Sequence, residues 1–364
     1  MIDEQLFSHI GWSIQTKSAL PNSTPPTYNN LDIFLNQSKK YCQEQDHLFI
    51  QTQLKNIKPT ASELNHISEA CSRLWNLDDL RMEPVKDYQL DLQRTTYDED
   101  RAPNPLFKYV NNQKLQHPVY KSFIALLDNY EFEPGKVEKV TREEIKEMHL
   151  FLENVMNTKC ICYVYEYLKI QKLFIGSKIA FKKKLEDLWF DGYSRVKRGN
   201  DSSAFEHVFV GEQKFDSEKN TNVVIGSHNW LAWHYFETTG DFDYRGFKKP
   251  RGRRSRNGKD YEKNHLLSIV FEFHGAIKPV STGFIGTSPA FELALYTLAY
   301  YCTRDKIACS LGDIRCQIQV YRYRGDKIGS CHPIDCPASA DDAAMVVQAR
   351  VRGKQERKRR NGRM

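Results

Sequence analysis

No run of the 364 residues is apolar for long enough to cross a bilayer. The longest, Leu293 to Cys302, is ten residues and already contains Thr297, against the roughly 18 or more that a spanning helix needs. The first thirty residues carry Asp3 and Glu4 and no apolar h-region, so no signal peptide is expected. The nine cysteines are odd in number and irregularly spaced, which is not the pattern of a disulfide framework. The chain is expected to be soluble, cytoplasmic rather than secreted, with reduced thiols. Also missing are G-x-x-x-x-G-K-[ST], a well-placed G-x-G-x-x-G, H-E-x-x-H, G-x-S-x-G and paired C-x-x-C. P-loop hydrolysis, Rossmann chemistry and the common zinc and hydrolase templates lose most of their support. His228 and His234, six apart, and Cys160 and Cys162, two apart, complete no four-ligand zinc set. There is no repeat at solenoid periods.

What is present is a globular composition, 40% hydrophobic, 27% charged and 12% aromatic. At roughly 150 residues per domain the length corresponds to one large or two ordinary domains. The net charge of +7 is local. Arg350 to Met364 has eight Lys or Arg against Glu356 alone, and Arg245 to Lys259 has eight cations and no acid, so the rest of the chain balances at −8. Basic segments on an acidic body suit anionic polymers or a membrane surface, or else a solubilising tail and a solvated loop.

Residues 1 to 58, with Pro21, Pro25 and Pro26 in a polar stretch, read as an extension ordered only in part. Thr60-Ala61-Ser62-Glu63 is a capping box opening a stripe at Leu64, Ile67, Cys71 and Leu74. Further helical stripes follow at Tyr120, Phe123, Leu127 and Tyr130, and, led by Thr141 and Glu144, at Ile145, Met148, Leu152 and Val155. After about residue 195 short β-rich runs take over, at 207 to 210, 223 to 225 and 266 to 273, with alternation at Ile314, Cys316, Ile318 and Val320. One helix is expected among them, capped by Ser288, with Pro289 at its first position and Phe291, Leu295, Leu298 and Cys302 as its buried stripe. The fold class is α+β: a mainly helical part over 59–195, then antiparallel β-sheets flanked by helices over 196–337, and a basic disordered tail over 338–364.

The chemistry concentrates where polar groups interrupt apolar, strand-like sequence. Ala204 to Glu212 holds Glu206, His207 and Glu212 among hydrophobic residues; Ile225 to Trp230 holds His228; and Lys278 follows a strand. Buried charge requires a reason. Two imidazoles and an ammonium can cleave a phosphodiester that has a neighbouring 2′-hydroxyl. One ring takes the hydroxyl proton, the other protonates the leaving oxygen, and the ammonium stabilises the phosphorane. Taken singly, each histidine is more often a satisfied structural residue than a catalyst.

The motifs Glu206-His207-Val208-Phe209-Val210-Gly211-Glu212, Gly226-Ser227-His228-Asn229-Trp230, Lys278-Pro279 and Phe284 to Thr297 resemble, in order and spacing, those of the EndoU family of uridylate-specific endoribonucleases. The resemblance extends to Leu74-Trp75, Asp87-Tyr88, Leu92-Gln93, Leu127 to Tyr130 and Ile328-Gly329-Ser330, covering residues 60 to 335, and is to the cellular, eukaryotic branch. It implies cleavage of single-stranded RNA 3′ to uridines, leaving 2′,3′-cyclic phosphate ends, with His207, His228 and Lys278 as the catalytic trio. His228 is expected as base and His207 as acid. Mn2+ or Ca2+ is implied as cofactor, with Glu206 and Glu212 either binding metal or supporting His207. Thr282 matches a position that reads the uracil edge.

Where the family shows a small hydroxyl residue, any residue, then Tyr-Pro, this chain has Ser330-Cys331-His332-Pro333. An imidazole replaces a phenol, and His332 is expected to stack on the sugar or base with Ser330 beside it. Arg251, Arg253, Arg254 and Arg256 are expected to contact the RNA backbone, and Lys354 to Arg360 resembles a nuclear-import cluster. No protein partner or membrane is expected, and the chain is expected to act as a monomer. The alternatives are an RNA-binding protein on an EndoU scaffold, with catalysis weakened by His332 or the basic loop, and a membrane-surface protein held by the basic segments.

Overall fold

The computed structural model describes residues 57–96, 99–130, 132, 140–193, 202–248 and 265–335. The N-terminal extension up to residue 56, the arginines at 251, 253, 254 and 256, and the basic tail lie outside the described residues.

Helices come first. The Thr60 capping box forms as expected, Thr60 Oγ1 accepting the Glu63 N–H and the Glu63 carboxylate accepting the Thr60 N–H, but α1 (Ala61–Asn65) stops at His66, whose extended backbone restarts the chain as α2 (Ile67–Leu77). A short antiparallel pair, β1 (Tyr88–Leu90) and β2 (Phe107–Val110), precedes α3 (Asn112–Leu115) and α4 (Pro118–Ile124). Then follow α5 (Arg142–Met156), α6 (Lys159–Ile170) and α7 (Lys178–Trp189), capped by Thr141, Thr158 and Ser177. In α5 the buried face is Phe151, Leu152 and Val155, while the expected core residue Ile145 is 40% exposed. The four-residue spacing continues one turn beyond the packing surface.

The β-rich part contains a five-stranded and a three-stranded sheet. β3 (Glu212–Asp216), β4 (Thr221–Ile225), β5 (Phe242–Lys248), β6 (Leu266–Phe273) and β7 (Ala276–Phe284) are ordered β3-β4-β7-β6-β5; all neighbours are antiparallel except β4 and β7, which meet in parallel at Val223 and Ile277. Two helices interrupt the strands where one was expected: α8 (Trp230–Thr239) and α9 (Pro289–Cys302). α8 escapes a periodicity search because its first turns, Trp-Leu-Ala-Trp, are buried all round. α9 starts as expected, with Ser288 Oγ accepting the Phe291 N–H.

β8 (Lys306–Leu311), β9 (Ile314–Tyr323) and β10 (Lys327–Asp335) form the antiparallel three-stranded sheet with β9 in the middle. The alternation read in β9 is real: Ile314, Cys316, Ile318 and Val320 are buried, and β9 packs against α9. β10 in turn lies against β7, which brings the two sheets together. The run at 207 to 210 is not a strand. Glu206–Val210 winds as a single π-helical turn in which the Gly211 N–H donates to the Glu206 carbonyl at 2.8 Å. Its β-branched and aromatic residues are buried on every side, so their strand-like composition reflects burial rather than pleating. No helix among the described residues is long and apolar enough to cross a membrane.

Candidate active site

Four segments converge where β10 meets β7. The π-turn supplies His207, the β4–α8 connection supplies His228, and β7 supplies Lys278, Ser281 and Thr282, while β10 adds Ser330 and His332. Wide helical turns of this kind are frequent at functional sites. The two histidine segments are stitched backbone to backbone: the Ser227 N–H donates to the His207 carbonyl at 2.9 Å and the His228 N–H to the Val208 carbonyl at 2.8 Å. That approach requires Gly226, with φ +69°, because a Cβ there would stand 1.8 Å from the His207 carbonyl oxygen. Ser227 also takes a left-handed backbone, φ +58°, an uncommon state for a residue with a side chain.

His228 is held in one tautomer. Its Nδ1 is 3.0 Å from the Thr282 carbonyl, which can only accept, so Nδ1 carries the proton. Ser281 Oγ donates to the Ser227 carbonyl and stands 3.0 Å from the same Nδ1, where it accepts. Nε2 is therefore the acceptor nitrogen. Burial holds the His228 pKa well below 6.5, and His332, Lys278 and His207 add to that effect. His332 lies flat on His228, ring centroids 4.0 Å apart and planes 5° from parallel. Burial, with His207 and Lys278, pushes the His332 pKa down to about 3, and Ser330 Oγ is 3.1 Å from its Nδ1. Lys278 is lowered to about 8 by burial, so it remains a cation at neutral pH.

The acidic residues face inward. Glu212 Oε1 is 3.5 Å from His207 Nδ1 and accepts a hydrogen bond from Ser202 Oγ. Glu206 is 1% exposed and forms a reciprocal box with Ser203: its carboxylate accepts the Ser203 N–H, and its own N–H donates to Ser203 Oγ. Among the described residues no group of three or more His, Cys, Asp or Glu is disposed to hold a metal ion. The donor set of the described residues does not fit a protein-bound Mn2+ or Ca2+. Thr282 is nearly buried, its hydroxyl 2.7 Å from Ser268 Oγ.

The fold of this chain and that of a solved relative agree over most of their length. A structure described as "XendoU: a splicing independent snoRNA processing endoribonuclease" superposes with a TM-score of 0.64 at 33% identity, covering 75% of this chain and 98% of that one. The family profile described as Endoribonuclease XendoU matches residues 66–333. The chain belongs to this family. Among curated XendoU-family relatives, the poly(U)-specific endoribonuclease of Xenopus tropicalis is 35% identical over 285 residues, 74% of this chain and 94% of its own length. The uridylate-specific endoribonuclease C of Danio rerio is 35% identical over 280 residues, 73% and 87%.

Two further groups of this XendoU-family site went unremarked in the sequence. Ser281 stands between Lys278 and Thr282 and shares the Nδ1 proton of His228. Asn229 caps α8, its Oδ1 accepting the Leu231 and Ala232 N–H groups, while its Nδ2 donates to Glu292 Oε1 at 3.2 Å. Glu292 is fully buried, also accepts from Thr287 Oγ1 and Tyr296 Oη, and is driven by burial to about 8. A carboxyl within the apolar stripe of α9 was the available signal, because a buried acid needs partners.

Proposed function

We propose that this chain is an endoribonuclease that cleaves single-stranded RNA 3′ to uridines, with residues 59–337 as the catalytic unit. The observation that carries the reading is the fixed tautomer of His228, a neutral imidazole with Nε2 as acceptor, in the same site as His207 and Lys278. His228 Nε2 takes the 2′-hydroxyl proton of the uridine. O2′ attacks the phosphorus, Lys278 stabilises the charged phosphorane, and His207 gives a proton to the departing 5′-oxygen. The products are a 2′,3′-cyclic phosphate and a 5′-hydroxyl. Glu212 is an anionic partner for the His207 imidazolium and orients its ring.

The basic segments, Arg251, Arg253, Arg254 and Arg256 among them, supply affinity for RNA phosphates outside this centre. The enzyme acts as a monomer in the cytoplasm, with Lys354 to Arg360 as a route to nuclear import. Mn2+ or Ca2+, implied by the family, acts other than through a chelate of the described residues.

The test is a labelled oligonucleotide with a single uridine, incubated with the protein in manganese, calcium or EDTA. Cleavage after the uridine with a cyclic phosphate end supports the reading, and a 2′-O-methyl group on that uridine abolishes it. Products with a 3′-hydroxyl, or cutting of the methylated strand at the same bond, overturn it. Tight binding without cleavage under every condition identifies an RNA-binding protein on this scaffold instead. Full activity in EDTA removes the metal requirement.

A further inference from the structure

The connection between α6 and α7 holds apolar side chains out into solvent on a firm support. Ile175 is 89% exposed and Ile179 is 83% exposed, and Ile170 and Leu173 beside them are exposed as well. Single apolar residues are ordinary on a protein surface, but several in one short turn form a patch that calls for an occupant. The turn that carries them is pinned. α6 closes with Lys172 in the left-handed region, φ +58°, and the N–H groups of Leu173 and Phe174 both donate to the Leu168 carbonyl, at 2.8 and 3.2 Å. Tyr165 Oη donates to the Gly176 carbonyl at 3.1 Å, and the Phe174 ring packs on Phe181 and Tyr165, with centroids 5.2 and 6.3 Å away. Ser177 then caps α7. With Phe174 anchored inward, its neighbours Leu173 and Ile175 are left facing out.

The charge around this patch has one sign. Between Glu166 and Glu186 the chain has six lysines and no acid. Lys182 pairs with Glu153, and Lys183 with Glu186 and Asp187, whereas Lys169, Lys172 and Lys178, interleaved with the exposed apolar residues, form no ion pair among the described residues. A protein partner is a poor match, because interface cores favour aromatic residues and arginine and are depleted of lysine. RNA phosphates match the lysines but give the isoleucines nothing to bury against. An anionic bilayer surface answers both, with acyl chains for the isoleucines and headgroup phosphates within reach of the lysine stems. We propose that the α6–α7 turn docks this protein on anionic lipid membranes, with Ile175 and Ile179 inserted at the boundary of headgroups and acyl chains and Lys169, Lys172 and Lys178 set on the headgroups. α7 rises about 17 Å along its twelve residues, and at its far end Trp189 packs on Phe209 of the π-turn, centroids 5.3 Å apart. The docking turn and the His207 segment therefore sit at opposite ends of α7. The inference does not rest on the RNA-cleaving reading of the site.

Flotation of the full chain with vesicles of phosphatidylcholine alone, or of phosphatidylcholine mixed with phosphatidylserine, tests the docking. Cleavage of a free uridine-containing oligonucleotide and the thermal midpoint are followed in parallel. The wild-type chain floats with the mixed vesicles in preference to the neutral ones. Ile175→Ser combined with Ile179→Ser keeps every lysine and weakens that binding roughly 10- to 100-fold, the range for two isoleucines losing part of their apolar burial. Lys169→Gln, Lys172→Gln and Lys178→Gln together remove the preference for phosphatidylserine. Neither set moves the midpoint or the cleavage of free RNA, because the altered side chains are exposed and lie outside the histidine site. Ile179→Trp reports insertion: its fluorescence, above that of the native tryptophans, is quenched by mixed vesicles whose phosphatidylcholine is brominated on the acyl chain. No binding to either vesicle, unchanged binding by the isoleucine pair, or no quenching in Ile179→Trp overturns the proposal. An isoleucine pair that loses RNA affinity and keeps vesicle binding assigns the turn to RNA. If deleting residues 350–364 abolishes flotation and the isoleucine pair does not, the basic tail is the lipid contact and the docking turn fails.

Discussion

His332 lies face to face with His228, 4.0 Å between ring centroids and 5° from parallel. The stack covers one side of the His228 ring, and burial is the leading cause of its lowered pKa. Two nearby groups, the Thr282 carbonyl and Ser281 Oγ, fix the ring from its Nδ1 edge. His332→Ala uncovers one face of the imidazole, relieves desolvation and raises its pKa toward the ordinary value. The acid limb of the kcat/KM profile then moves to higher pH, and turnover drops about 10- to 100-fold as the ring loses its orientation. His332→Tyr, which puts back the phenol of the family motif, keeps the acid limb in place. A pH profile of all three proteins decides; an unmoved limb in His332→Ala means that the stack does not set the basicity of His228.

Lys278 gives the opposite limb. Burial lowers its pKa to about 8, so the ammonium is present at neutral pH and is lost as pH rises through that value. Activity is expected to fall above about pH 8. Lys278→Arg, whose guanidinium stays charged, removes that limb at the expense of fit, and Lys278→Ala lowers turnover on the order of 100-fold at every pH. A basic limb unchanged in Lys278→Arg assigns it to another group.

The parts of the site legible in the sequence were those whose chemistry conflicts with their surroundings, His207, His228 and Lys278 in apolar runs. The parts that escaped depend on packing. Val208, Phe209 and Val210 are buried whether pleated or coiled, so their types could not distinguish a strand from the π-turn that aims His207. The apolar first turns of α8 show no stripe for the same reason. His332 lays one face on His228, a cross-sheet placement that no local pattern encodes. Glu292 was visible as an acid in an apolar helix, but its partners Asn229 and Thr287 come from two other segments.

Gly226→Ala tests the junction between the two histidine segments. The new Cβ meets the His207 carbonyl at 1.8 Å, a backbone atom that cannot yield without moving the π-turn, and the φ of +69° disfavours any side chain. A loss of more than about 2 kcal/mol in urea unfolding is expected from strain and overpacking together. Cleavage by the remaining folded fraction drops as His207 shifts. A variant with wild-type midpoint and rate would show that the His207 to Ser227 backbone contact is dispensable.

Glu292 couples the His228 segment to the stability of the whole fold. Its carboxyl is fully buried and raised from 4.5 to about 8, with Asp78, itself raised to about 6 by burial near the start of α9, adding to the effect. A folded-state pKa above the unfolded one means that the folded form holds the proton more tightly. The resulting stabilisation is complete below pH 4.5 and is lost progressively as pH rises to 8. Across that window the loss is on the order of a few kcal/mol, of which Asp78 contributes only the part below about pH 6. Glu292→Gln places a permanently neutral amide on the same partners, since Gln offers an oxygen to Asn229 Nδ2 and Thr287 Oγ1 and an amino group to Tyr296 Oη. The wild-type protein should lose thermal stability between pH 6 and 8, where Asp78 has already ionised, and the Glu292→Gln variant should show a flatter curve that crosses above it at the alkaline end. Parallel curves for the two proteins would mean that Glu292 is ionised in the native state and that Asn229 is held by a carboxylate.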